Sequence, residues 1–184
     1  MSDTGAYVKS PPKLWSHLTG WRMHSEVLPL QWRQIDSDAG TVRLDAGTTK
    51  NGEGRVFPFT VELRALLEAQ RAYTEAVQRE RGIICPSVFH RNGRGIKVFR
   101  KAWASACKAA GCPGRIPHDF RRTAVRNFVR ASIPERVAMM MTGHKTRSVF
   151  ERYNIVSGGD LADAARKLDA VTKLTGTVTG TGSR

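Results

Sequence analysis

The sequence predicts an α+β domain that is mainly helical, with one small three-stranded antiparallel sheet. Three observations predict it. Apolar residues recur at helical spacing in segments near 60–81, 97–110, 118–130 and 160–171. Between Arg33 and Pro58 the pattern changes to short alternating or β-branched runs separated by turn-forming residues. The 184 residues show no internal repeat and suffice for one domain with a proper core. Residues 1–13 read as a flexible lead-in, 14–171 as the domain, and 172–184 as a disordered Thr/Gly-rich tail.

Residues 1–12 are polar and end in Pro11-Pro12. Leu14 to Leu30 reads as a helix broken at Thr19-Gly20, so Arg22 stands just past the break, where a helix terminus aims its side chain. QID, TVRL and RVFPF are the strand candidates, divided by Asp38-Ala39-Gly40 and Lys50-Asn51-Gly52-Glu53-Gly54. Asn-Gly is a strong hairpin signal because both residues tolerate positive φ. Lys50 therefore rides at the edge of a β-turn, from which a long cation can swing into a groove or simply be solvated. Thr60 is the candidate N-cap of an amphipathic helix carrying Val61, Leu63, Leu66 and Leu67 and running to about Arg81. Cys85-Pro86 breaks the pattern, Ser87 to His90 reads as a short strand, and HRNGRG as a loop. A helix from about Lys97 to Ala110 turns Val98, Trp103 and Ala106 inward and its basic residues outward, and ends at Gly111 and Pro113-Gly114. From about His118 a helix presents Phe120, Ala124, Val125, Phe128 and Val129 on one face and the stripe Arg122, Arg126, Arg130 on another. Pro134 opens the next helix, whose apolar run VAMMM, with Met139 to Met141 read as core packing, ends at the turn Thr142-Gly143. The last helix, about Asp160 to Val171, has Leu161, Ala164, Ala165 and Leu168 as its apolar side.

Charge narrows the partner classes. Lys and Arg total 30 against 16 Asp and Glu, a formal net charge of +14. Residues 81–130 hold 12 of those bases and a single acid, Asp119, so this block carries a net +11. Such concentration is the footprint of a polyanion, with a solvated basic face as the plain alternative. Arg94, Lys97, Arg100, Lys101 and Arg122 are the candidate contacts to backbone phosphates. A membrane surface is disfavoured, since no long apolar span or basic amphipathic anchor accompanies the charge. Cys85, Cys107 and Cys112 lack C-x-x-C spacing and a clear fourth ligand, so they read as reduced structural thiols rather than a zinc site. No signal peptide is visible, and the expected location is the cytosol.

The stretch His118 to Tyr153 carries the chemistry. His118 and Arg121 stand at i and i+3 on one helix face, His144 follows the Gly143 turn, and Tyr153 lies nine residues further on. Cationic donors around one phenol point to phosphate chemistry with a tyrosine nucleophile, because the donors hold an oxyanion while the phenol attacks. Each residue alone has a plain reading as well: His144 as a core histidine, Tyr153 as packing. Together His118-Asp119-Phe120-Arg121, Thr142-Gly143-His144 and Tyr153 within ERYNIV resemble the tyrosine recombinases of the phage-integrase family. TGWRMHSEVLPLQW resembles that family's first-arginine box, with Arg22 as the phosphate-clamping arginine. The family usually places an acidic residue three positions after this arginine; here Glu26 stands at four. Thr49-Lys50-Asn51-Gly52-Glu53-Gly54-Arg55 fits the hairpin on which the family carries its catalytic lysine.

The resemblance covers about residues 14–171 and implies a tyrosine-recombinase catalytic domain. Arg22 and Arg121 would present planar forks to the non-bridging oxygens of a phosphodiester. His144 would add a donor, His118 would act as general base or orient the phosphate, Tyr153 would attack, and Lys50 would protonate the departing 5′ oxygen. The implied product is a 3′-phosphotyrosyl link and a free 5′ hydroxyl, reversible without ATP. The implied assembly is a homo-oligomer on DNA, a tetrameric synapse. No cofactor or metal is expected. Arg22, His118, Arg121 and His144 are expected to face one shared cleft. The family also carries an N-terminal DNA-clamping domain, whereas 21 residues precede Arg22. The expectations are therefore a truncated gene, a misplaced start or a catalytic domain acting alone. Two alternatives stand beside the recombinase: a catalytically inactive DNA-binding remnant or regulator, and a type IB topoisomerase-like enzyme.

Overall fold

The computed structural model describes residues 11–47, 52–153 and 158–176. Helix α1 (Pro11–Thr19) starts within the segment read as lead-in. A turn of π-helix, Met23–Val27, and a 3₁₀ turn, Trp32–Gln34, lead into β1 (Ile35–Asp36), β2 (Thr41–Leu44) and β3 (Arg55–Pro58). These strands form an antiparallel sheet of order β1-β2-β3, pairing Val42 with Phe57 and Leu44 with Arg55. Then come α2 (Val61–Arg81), β4 (His90–Arg91), β5 (Arg94–Gly95), α3 (Arg100–Ala109), α4 (His118–Arg130), α5 (Glu135–Thr142), α6 (Arg147–Glu151) and α7 (Gly158–Gly176). The predicted class stands: helices with one small three-stranded antiparallel sheet.

Local chemistry accounts for the boundaries. Thr60 caps α2, its hydroxyl accepting from Leu63 N at 3.2 Å. Leu63, Leu66, Leu67, Gln70, Thr74 and Val77 are its buried stripe. At the start of α4 the Asp119 carboxylate accepts from Ile116 N at 3.1 Å and sits favourably in the first turn. In α1 the Thr19 hydroxyl donates to Trp15 O at 2.9 Å and accepts from Trp21 N at 3.1 Å, turning the chain sharply before Arg22.

The core joins these layers. Trp15, Trp21, Phe57, Phe89 and Phe150 are all at most 1% exposed. Trp21 packs edge-on against Phe57, and Trp15 edge-on against Phe89. Burying each such ring contributes roughly 2–3 kcal/mol relative to exposure. Trp21 also donates from Nε1 to Met141 O at 3.0 Å, fixing the Arg22 segment to the end of α5.

Four readings need correction. HRNGRG is a hairpin rather than a loop, with His90 paired to Gly95 around Asn92-Gly93, and the expected Ser87–His90 strand is confined to His90–Arg91. Helix α3 begins at Arg100, so Lys97 and Val98 precede it and Val98 is exposed. The β4–β5 hairpin pins Ile96 N to Phe89 O at 3.2 Å, and Phe99, with φ −134° and ψ 9°, still stands outside helical geometry just before α3. Helix α7 continues through residues 172–176, which composition had assigned to the tail. Its Leu161, Leu168 and Val171 are exposed rather than packed. Among the described residues no helix is long and apolar enough to cross a membrane.

Gly20 shows how tightly the site's foundation is packed. Its φ is +70°, and a Cβ there would meet Thr142 Cγ2 at 3.1 Å and Ala124 Cβ at 3.2 Å. Gly20→Ala should destabilise the protein by about 2 kcal/mol, through left-handed strain and overpacking, as read from the midpoint of urea unfolding.

Candidate active site

Arg121 lies at the centre. It is 1% exposed, on the inward face of α4. Nη1 donates to Gly20 O at 2.7 Å, Nε donates to His144 Nε2 at 3.2 Å, and Nη2 has no partner among the described residues. Burial first, then the Arg22 guanidinium, pushes its pKa down to about 10, so it remains charged at neutral pH. A buried guanidinium with a spare N–H pair is arranged to receive an anion.

Arg22 is aimed from the turn after α1. Its backbone N donates to Glu26 Oε2 at 2.7 Å and its Nη1 to Glu26 Oε1 at 2.8 Å. The spacing of four is explained by the π-turn. Val27 N bonds Arg22 O at 3.0 Å and Leu28 N bonds Met23 O at 2.9 Å, both spanning five residues instead of four. The widened turn takes in one extra residue and still delivers the carboxylate to Arg22. Glu26 is 1% exposed and is also paired with Arg55, whose Nη2 lies 2.8 Å from Oε1.

Arg22, His118 and Arg121 line one cleft of about 430 Å³, walled by Trp21, Phe99 and Trp103. At its edge the Tyr153 hydroxyl is 2.6 Å from His118 Nε2. Tyr153 follows α6 directly, and its ring is half-buried against the core. Burial first, then Arg121, Arg122 and Arg22, lowers the His118 pKa below its ordinary value. A neutral ring offers Nε2 as acceptor for the phenol proton.

His144 does not share that cleft. It lines a larger one, about 950 Å³, with Arg55, Arg43, Arg136 and Lys145. The reason is its hydrogen bonding. Thr142 Oγ1 donates to Ala138 O at 2.7 Å, so it must accept from His144 Nδ1, also 2.7 Å away. The proton is therefore on Nδ1, and Nε2 accepts from Arg121. Neither ring nitrogen is left to donate to a phosphate in this arrangement. Lys50 lies outside the described residues; β2 and β3, which flank it, are in place. Of the candidate DNA contacts, Arg94, Lys97, Arg100, Lys101 and Arg122 are all exposed. Arg100 lines the active cleft, Arg94 and Lys97 line the adjoining groove, and Arg122 pairs with Asp119 at 3.5 Å.

Sequence reasoning overlooked Arg55. A signal existed: Phe57 is the buried residue of β3, and Arg55, two positions earlier, falls on the same inward face.

The family model described as the phage integrase family matches residues 14–158. No curated protein matches the chain by sequence. Among solved structures, XerA recombinase aligns with a TM-score of 0.68 at 16% identity, over 91% of this chain and 64% of that one. The Tn1549 transposon integrase in complex with a circular intermediate DNA gives 0.63 at 15%, over 91% and 60%. The catalytic domain of bacteriophage HP1 integrase gives 0.56 at 18%, over 85% and 79%. At these identities the likeness is one of fold, and the chain spans less than two thirds of the length of the first two.

Burial first, then Arg121, Arg22 and Arg55, holds the His144 pKa down at about 3 against an ordinary 6.5. As pH falls below 6.5 the unfolded chain binds a proton that the folded chain refuses. Stability present above pH 6.5 should therefore be lost progressively towards about 3. Nitrogen-detected NMR should show His144 neutral, protonated at Nδ1, down to pH 5; titration near 6.5 would refute the assignment.

Proposed function

Since the chain belongs to the phage integrase family, we propose that it is the catalytic domain of a site-specific DNA recombinase. It cleaves and rejoins double-stranded DNA through a 3′-phosphotyrosyl intermediate. The observation that carries the reading is the Tyr153 hydroxyl, 2.6 Å from His118 Nε2, beside a cleft lined by Arg22 and the half-satisfied, buried Arg121.

The chemistry follows from the charges. A phosphodiester repels nucleophiles, and its transition state gathers charge on the non-bridging oxygens. Arg22, Arg55 and Arg121 surround one carboxylate, Glu26, leaving two positive charges to meet that load. Arg22 and Arg121 donate to the oxygens, Arg121 through the Nη2 that has no partner among the described residues. Tyr153 passes its proton to His118 Nε2 as its oxygen attacks phosphorus. The bond to the 5′ oxygen breaks, and Lys50, in the stretch of sequence between β2 and β3, protonates the leaving oxygen. The resulting ester keeps the energy of the broken bond, so a second 5′ hydroxyl reverses the step. His144 serves by accepting from Arg121 Nε and fixing the plane of that guanidinium. Exposed Arg94, Lys97, Arg100, Lys101 and Arg122 hold the DNA backbone around this centre. A homo-oligomer assembled on DNA pairs the two sites that exchange strands.

Tyr153→Phe should abolish covalent trapping on a nicked suicide substrate while leaving noncovalent DNA binding intact; an adduct that persists in the Phe variant would place the nucleophile elsewhere. Arg94→Ala should weaken binding alike across DNA sequences and reduce the slope of log affinity against log salt by about 1.

A further inference from the structure

Arg55, the first residue of β3, stands outside the six residues first singled out, yet it touches three of their segments. Its side chain is only 7% exposed. Nη2 donates to Glu26 Oε1 at 2.8 Å, while Nη1 donates to Thr142 O at 2.7 Å and approaches Glu26 Oε2 at 3.5 Å. One guanidinium thus joins the turn that carries Arg22, the turn that carries His144 and the strand that continues from the Lys50 hairpin. It also lies flat against Gly143. A Cβ at that position would sit 2.2 Å from Arg55 Nη1, and the residue's φ is +72°. Glycine is therefore required twice over, by the left-handed helix end and by the arginine pressed on it.

Stability alone does not account for such a group. A buried ion pair gives up most of its Coulomb energy to desolvation, and apolar packing of similar volume serves stability as well or better. What a planar guanidinium adds is a fixed pair of donors, one nitrogen on the carboxylate and the other on a backbone carbonyl. With Arg55 on Oε1, Glu26 has one oxygen shared and the other committed to Arg22 N. Without Arg55 the carboxylate keeps its bond to Arg22 N but loses the second donor on Oε1, so the pull on the Arg22 guanidinium is no longer balanced and that side chain can draw back from the cleft.

We propose that Arg55 is a positioning residue for the phosphoryl site: it orients Glu26 so that the Arg22 guanidinium is anchored through a single nitrogen, and it ties the Thr142–Gly143–His144 turn to β3. The proposal rests on the strand-cleavage reading above. It assigns a function to the start of β3 that no motif residue supplies, and it makes the sheet part of the catalytic scaffold rather than a mere carrier of the lysine.

The test uses the full chain with Arg55→Lys and Arg55→Ala, and Arg64→Gln as a control for loss of one positive charge from the sheet side. Single-turnover adduct formation on the nicked substrate, noncovalent DNA affinity, thermal unfolding and amide hydrogen exchange are measured together. The expected result for Arg55→Lys is a folded protein with wild-type DNA affinity and cleavage slowed about 10²-fold, the scale of a small misplacement of reacting groups. Exchange should quicken at residues 22–27 and 142–145 and stay unchanged in α2. Millimolar guanidinium should restore part of the rate in Arg55→Ala, and Arg64→Gln should cleave like wild type. Wild-type exchange at both turns in either folded variant would overturn the proposal. So would a lowered unfolding temperature with an unchanged rate per folded molecule. If the wild-type chain itself forms no adduct, the strand-cleavage reading fails separately, and exchange alone decides whether Arg55 holds the two turns.

Discussion

Two guanidiniums, Arg22 and Arg55, share the carboxylate of Glu26 while a third, Arg121, lies buried close by, and the rest of the molecule is arranged around tolerating that imbalance. Like charges in a low-dielectric interior repel strongly, and each has lost water that must be replaced. The replacements come from far apart in the chain. Gly20 O accepts from Arg121, Thr142 O from Arg55, and Glu26 from both Arg22 and Arg55. These acceptors stay in place only because rigid packing fixes the backbone that bears them. The Trp15–Trp21–Phe57 ring cluster and the Trp21 Nε1 bond to Met141 O set the α1 turn against α5 and β3. The aromatic core and the cationic site are thus one device: the first offsets the strain of the second.

Much of this was legible in the sequence because it depends on local rules. The π-turn aside, the boundary at Thr19-Gly20, the Thr60 cap, the strand runs and the Gly143 turn are each set by residues within a few positions of one another. His118 and Arg121 were readable for the same reason, since three residues on a helix fix a common face. The rest depended on distant partners. Nothing local distinguishes a histidine that donates to a phosphate from His144, which is locked as an acceptor by Thr142 and Arg121. The later start of α3 was hidden because Lys97-Val98 has good helical pattern but follows Ile96, which is bonded back into the β4–β5 hairpin. Helix α7 continued past its expected end because composition describes a tail poorly when the preceding turns can simply propagate.

Arg55 illustrates the general difficulty. Exposed arginines are common, so one beside a glycine-rich turn reads as solvated. Its significance comes from strand alternation, which turns it inward with Phe57, and from a glycine 88 residues later that leaves it space. Neither fact is visible without the other.

The π-turn at Met23–Val27 has a consequence for what defines such a site. An inserted residue beside a catalytic arginine ordinarily rotates everything after it by about 100° around the helix axis. Here the surplus is absorbed as a bulge within a single turn, and the carboxylate returns to its place. What defines the site at this turn is a distance in space, the 2.7 and 2.8 Å contacts of Glu26 with Arg22, and not the interval in sequence between the two residues.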